Sequence, residues 1–103
     1  MSMQIEISAA DGAAVMRLSG RFDYTTRNDF IAGVEEVIPL GQAGEIKVDL
    51  GGLSYIDSSA LGMLLMMRDR GRKFGKTICL ANARGAVRQV LDTAQFERLF
   101  RVV

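Results

Sequence analysis

Residues 46–67 read Ile46-Lys47-Val48-Asp49-Leu50-Gly51-Gly52-Leu53-Ser54-Tyr55-Ile56-Asp57-Ser58-Ser59-Ala60-Leu61-Gly62-Met63-Leu64-Leu65-Met66-Met67. Ile46, Val48 and Leu50 alternate with Lys47 and Asp49, the period of a strand with one buried face. Gly51-Gly52 interrupts that pattern, and Tyr55-Ile56 forms a second short apolar piece. Asp57-Ser58-Ser59 then precedes a dense apolar run. Such residues mark a helix N-terminus, because their side-chain oxygens accept the orphan N–H groups of the first turn. The order is strand, loop, hydroxyl-bearing helix start, helix. A helix N-terminus also carries partial positive charge and unpaired donors, so it tolerates a phosphate. Taken alone, Asp57-Ser58-Ser59 reads as a helix cap.

Outward from this stretch the alternation of strand and helix periods continues. Ile5 and Ile7 alternate with polar neighbours, Asp11-Gly12 is a turn pair, and Ala14, Met16 and Leu18 alternate with Val15, Arg17 and Ser19. The expectation is an antiparallel hairpin. A helix from about Asn28 to Ile38 follows, capped by Thr25 or Thr26, with Phe30, Val34, Val37 and Ile38 inward and Glu35 and Glu36 outward. Pro39 and Gly41 stop it, and 42–44 form a loop. A helix between two strands implies a parallel crossover. The helix opened by Ser58 is expected to run to Phe74 and end at Gly75. At 100° per residue one face collects Ala60, Met63, Leu64, Met67, Gly71 and Phe74. The opposite face collects Ser58, Gly62, Asp69 and Lys73, flanked by Leu61, Leu65 and Met66. Methionine and leucine beside a polar face suit a surface that binds a partner. Thr77 to Ala81 is a fourth strand, apolar on both sides. Asn82 is a candidate cap for a third helix from Gly85 to Thr93, with Val87, Val90 and Leu91 inward. Phe96, Leu99 and Phe100 suggest a short last turn.

Asp49-Leu50, six residues, then Asp57-Ser58-Ser59-Ala60-Leu61-Gly62 resembles the signature of the STAS domain family, in particular the bacterial anti-sigma factor antagonists. Gly20-Arg21-Phe22-Asp23 resembles the Gly-x-Leu/Phe-Asp turn after the second strand of that family. The stretch from Asn82 to Phe100 resembles its ending, a helix followed by a short aromatic-bearing turn. Position 60 is commonly Gly in the family and is Ala here, which favours the helix by ~1 kcal/mol. Many antagonists continue into one more helix beyond the point where this chain stops, at Val103. The resemblance implies a single α/β domain over residues 1–103, with a mixed four- to five-stranded sheet and helices mostly on one face. It implies that Ser58 is the serine a partner kinase phosphorylates. Asp23, Asp57, Ser59, Leu61, Gly62, Leu65, Met66 and Asp69 are then the expected partner-binding residues. For Asp23, a plain turn or cap role stands beside the partner-binding one.

Composition narrows the remaining options. With 13 basic and 12 acidic residues the net charge is +1, which gives no electrostatic case for nucleic acid or an anionic membrane. The cations Arg68, Arg70, Arg72, Lys73 and Lys76 read as the solvated end of a helix, where cations are favoured. One cysteine, Cys79, excludes an intrachain disulfide and reads as a buried, inert thiol. No signal peptide opens the chain, and no apolar run could span a bilayer, so a cytoplasmic protein without membrane insertion is expected. The chain has no histidine, which removes Ser-His-Asp and Cys-His catalysis and most zinc sites. Neither a phosphate loop nor a dinucleotide fingerprint is present. The chain is expected not to be an enzyme and to need no cofactor or metal. A small serine hydrolase or nucleotide-binding protein is the reading this disfavours.

By resemblance, the expected role is a partner switch. The unphosphorylated protein binds an anti-sigma factor that is also a serine kinase, phosphorylation of Ser58 releases it, and a metal-dependent serine phosphatase restores binding. The alternative within the same family is a STAS subunit of a lipid-transport ABC complex, docking on its ATPase.

Overall fold

A computed structural model describes residues 3–10, 12–42 and 44–103. Asp11 of the expected turn and Ala43 of the expected loop lie outside the described residues. The elements are β1 (Gln4–Ala10), β2 (Ala13–Phe22), α1 (Arg27–Val37), β3 (Glu45–Ile56), α2 (Ser58–Lys73), β4 (Thr77–Ala81), α3 (Gly85–Thr93) and β5 (Arg101–Val102). The strands lie in their sequence order in one sheet. β1 and β2 form the antiparallel hairpin, and β2, β3, β4 and β5 run parallel. Each parallel step moves the same way along the sheet. Crossovers of one hand then put all three helices on the same face.

Burial agrees. Ala14, Met16, Leu18, Ile46, Val48, Leu50, Ile78 and Leu80 are buried and share one core with Phe30, Val34 and Val37 of α1, Met63, Leu64 and Met67 of α2, and Val87 and Leu91 of α3. The alternate positions Gln4, Glu6, Ser8, Arg17 and Lys47 are exposed on the helix-free face. Cys79 points to that open face yet is fully buried. Arg101 of β5 and Glu45 of β3 form a two-point ion pair at 2.8 and 3.0 Å that spans β4. Burial pushes the Cys79 thiol above its usual range, and the Glu45 carboxylate adds to the effect.

Several boundaries move. β3 does not end at Gly51-Gly52; it continues to Ile56, and Tyr55-Ile56 is its last part. The pairing with β2 is irregular between Arg17 and Ser19 and again between Gly20 and Arg21. A Cβ on Gly52 would sit 2.8 Å from Ser19 Cβ and 3.0 Å from the Leu18 carbonyl oxygen. Glycine lets the two strands stay in contact through this irregularity. β2 likewise runs through Gly20-Arg21-Phe22, so the turn starts only at Asp23.

α1 ends at Val37, and Ile38-Pro39-Leu40 form a 3-10 turn that still buries Ile38. Phe74, expected in the core, is 56% exposed. The helix has ended at Lys73, and Gly75 at φ +71° turns the chain away. Asn82 does not cap α3: it adopts φ +64°, and its side chain lies on the Asp49 side, where it helps lower the Asp49 pKa. Beyond α3, Phe96 and Phe100 stack at 5.3 Å, and β5 joins β4 through Val103 N–H to the Leu80 carbonyl at 2.9 Å.

Candidate functional site

β2 and β3 are parallel and paired to their ends, Phe22 opposite Ile56. The residues just beyond, Asp23 and Asp57, therefore leave the sheet at the same edge. The Asp57 N–H donates to the Phe22 carbonyl at 3.2 Å, which ties the two exits together. Asp57 is extended and is the N-cap of α2, its Oδ1 accepting from the Ala60 N–H at 2.9 Å. That fixes Ser58 as the first helical residue, with its side chain exposed, and Ser59 exposed beside it.

Asp23 is half-buried and holds its own turn. Its carboxylate accepts from the Thr25 N–H at 3.1 Å and from the Thr25 hydroxyl, and its carbonyl accepts from the buried Thr26 hydroxyl at 2.7 Å. The cap role is thus realised, and the carboxylate still lies at the edge where α2 begins. Arg21 approaches Asp23 at 4.0 Å and lies 4.0 Å over the Tyr55 ring. Tyr24 is 70% exposed and Tyr55 40% exposed on this same edge.

Along α2, Gly62 and Met66 follow Ser58 at steps of four residues, so they share its side of the helix. A Cβ on Gly62 would meet nothing within 4 Å. No packing demand explains glycine there; its effect is to leave the helix surface flat next to Ser58. Leu61, Leu65 and Met66 are half-buried and lean on the core, so the apolar flank is narrower than the sequence pattern suggests. Asp69 is exposed near the far end and pairs with Arg68 at 3.8 Å. The structure gathers Asp23, Asp57, Ser58, Ser59 and Gly62 at one edge, keeps Leu61, Leu65 and Met66 as its partly sunken margin, and sets Asp69 about two and a half turns further on.

Arg21, Tyr24 and Tyr55 are the residues sequence reasoning missed here. Tyr55 carried a signal: in a strand it must face opposite to buried Ile56. Tyr24 carried none, since its exposure follows from the turn that Asp23 closes.

Asp49, the first residue of the sequence signature, lies away from this edge. Burial raises its carboxyl pKa, but the Gly51 N–H at 2.9 Å, the Asn82 side chain and the Arg17 guanidinium outweigh that and hold it below the usual value. It fixes the backbone at Gly51 and joins β3 to the segment after β4. Among the described residues no cluster of three or more His, Cys, Asp or Glu is placed to hold a metal. Nor is any helix there long and apolar enough to cross a membrane.

A family model described as "Mlab, STAS domain" matches residues 5–102. A STAS-domain containing protein of Pseudomonas aeruginosa is 38% identical over 97 residues, covering 93% of this chain and 94% of that protein. An anti-sigma F factor antagonist of Paenibacillus polymyxa is 29% identical over 92 residues, 89% of this chain and 79% of that one. The crystal structure of an anti-sigma factor antagonist from Mycobacterium paratuberculosis superposes with a TM-score of 0.85 at 20% identity, over 98% of this chain and 85% of that one. That likeness is one of fold.

Proposed function

The chain belongs to the STAS domain family, and from that premise we propose that it is an anti-sigma factor antagonist controlled by phosphorylation of Ser58. The observation that carries the proposal is the exposed Ser58 hydroxyl on the first residue of α2, held there by the Asp57 cap. The Paenibacillus polymyxa relative is named an antagonist of this class. In this reading the unphosphorylated protein docks on an anti-sigma factor that is also a serine kinase. The docking edge is made by Asp23, Asp57, Ser59 and Gly62, with Leu61, Leu65 and Met66 at its margin and Asp69 beyond. A metal-dependent serine phosphatase resets the switch, and the exchange takes place in the cytoplasm.

Phosphorylation adds about −1.5 to −2 charges. Within the chain the α2 N-terminus favours them, since it offers partial positive charge and unpaired N–H groups. Against a docked protein the phosphate must lose water beside Asp57, with Asp23 at the same edge. A penalty of ~3 kcal/mol lowers affinity roughly a hundredfold. The switch then acts at the interface and leaves the fold intact. The protein itself performs no catalysis; it is the kinase's substrate.

Incubation with the cognate kinase and ATP, followed by mass mapping, is expected to place one phosphate on Ser58. Ser58→Asp is expected to lose kinase binding while its Tm stays within a few degrees of wild type. Wild-type affinity in that variant would overturn the assignment. The family model that matches residues 5–102 is described as "Mlab, STAS domain", and this favours a second reading: a STAS subunit docked by the same edge on the ATPase of a lipid transporter. Affinity capture separates the two, by whether a serine kinase or a transport ATPase is retained.

A further inference from the structure

Between the C-terminal ends of α1 and α2 lies a cleft of about 320 Å³, lined by Ile38, Pro39 and Phe74 with Glu35, Arg70 and Lys76. Arg70 donates to Glu35 at 2.8 Å, and its guanidinium carbon stands 5.4 Å from the Phe74 ring centroid. Its Nε is buried and meets no acceptor among the described residues. The Arg70 side chain as a whole is 39% exposed, and the guanidinium is already ion-paired with Glu35. Lys76 gives one hydrogen to the Gly41 carbonyl at 2.7 Å and has two left. Arg72 and Lys73 are exposed on the next turn, and neither is ion-paired among the described residues. Phe74 at 56% and Leu40 at 38% exposure add apolar surface at the same end of the molecule.

We propose that this cleft docks an acidic peptide segment of a partner protein, anchored by one large apolar side chain. The anchor packs on Ile38, Pro39 and Phe74. Its neighbouring carboxylates meet Arg70 and Lys76, with Arg72 and Lys73 outside. Charge complementarity selects this occupant. The cleft is concave, which suits an inserted side chain and not a flat lipid surface. Arg70 lies twelve residues after Ser58 on a 16-residue helix, about 18 Å away. The site is therefore separate from the phosphoserine edge and does not depend on the function proposed there.

Selection of a random dodecapeptide display library on the whole protein tests this. Vesicles of phosphatidylglycerol and a thymidine oligonucleotide serve as parallel probes. Enriched peptides are expected to carry Asp or Glu next to Leu, Phe or Trp, and to bind more weakly as salt rises. Affinity is expected to fall at least about tenfold in Phe74→Ser and in Arg70→Gln, and to be unchanged in Ser58→Asp. Amide shifts on peptide addition are expected at Phe74 and Lys76. Phe74 is largely exposed, so Phe74→Ser is expected to fold and decides the matter even where Arg70→Gln does not. The proposal is overturned by failure to enrich acidic peptides, by full binding in Phe74→Ser, or by preferential binding of the vesicles or the oligonucleotide.

Discussion

Asp49 and Asp57 are both carboxylates that receive a backbone N–H, yet they act differently. Asp57 accepts from Ala60 at 2.9 Å and sets where α2 starts, hence where the Ser58 hydroxyl stands. Asp49 accepts from the Gly51 N–H, and with the Asn82 side chain and Arg17 beside it its pKa is lowered in the folded protein. A lowered folded-state pKa means that the unfolded chain binds a proton more readily. Asp49 therefore contributes stability above its unfolded value near 3.8, and that contribution is lost as pH falls through the folded value. Asp49→Asn is expected to lower Tm near neutrality and to shrink that deficit below about pH 4. Paired melting curves over this range check it, and a deficit independent of pH would contradict the assignment. Asp57 was legible in sequence because capping is local. The Asn82 partner of Asp49 was not, because it approaches across the sheet from the segment after β4.

At the scale of elements, the departure at Gly51-Gly52 is instructive. Two glycines in sequence read as a break, because glycine removes strand propensity and side-chain packing. In the fold they permit contact: β3 runs twelve residues, and Gly52 lies against Ser19 and the Leu18 carbonyl with no room for a methyl group. Gly52→Ala is expected to cost about 1–3 kcal/mol, read as a fall in Tm of ~4–8 °C per kcal/mol in a domain of this size. Because β3 leads straight into Asp57, the same substitution is expected to slow phosphorylation of Ser58 more than an equally destabilising core substitution such as Ile78→Val. Equal effects of the two variants would show that the strand irregularity has no part in positioning the switch. α2 shows the other limit of pattern reading. Its buried face, Ala60, Met63, Leu64, Met67 and Gly71, follows from helical periodicity. The half-burial of Leu61, Leu65 and Met66 depends on how closely neighbouring elements wrap its flanks.

For the whole molecule, the question is how a sheet with one bare face protects its core. β5 contributes only Arg101 and Val102, but it completes the edge next to β4 and carries the arginine that spans β4 to reach Glu45. A chain ending at Phe100 is expected to melt lower than the full chain. Cys79 is expected to react with a thiol reagent about tenfold faster or more in native buffer. An unchanged reaction rate would mean that the thiol is sealed by something other than β5. The two candidate surfaces lie at opposite ends of α2. The exits of β2 and β3 present Ser58, Tyr24 and Tyr55, and the far end of α2 presents the Arg70–Phe74 cleft. A single rigid helix separates them, so each surface can be mutated without rebuilding the other.

The sequence by itself determined the order of the first four strands and the three helices, most of each buried face and the place of Ser58 at a helix mouth; β5, two residues long, has no periodicity to read. Those features follow from periodicity and capping, which are set by residues within a few positions of one another. The tertiary structure alone decided that β3 passes through its glycines, that Asn82 turns toward Asp49, that Phe74 stays in solvent and that Tyr24 and Tyr55 are exposed where β2 and β3 leave the sheet. The first two depend on a neighbour distant in the chain, and local pattern carries no information about which distant segment arrives, or how close.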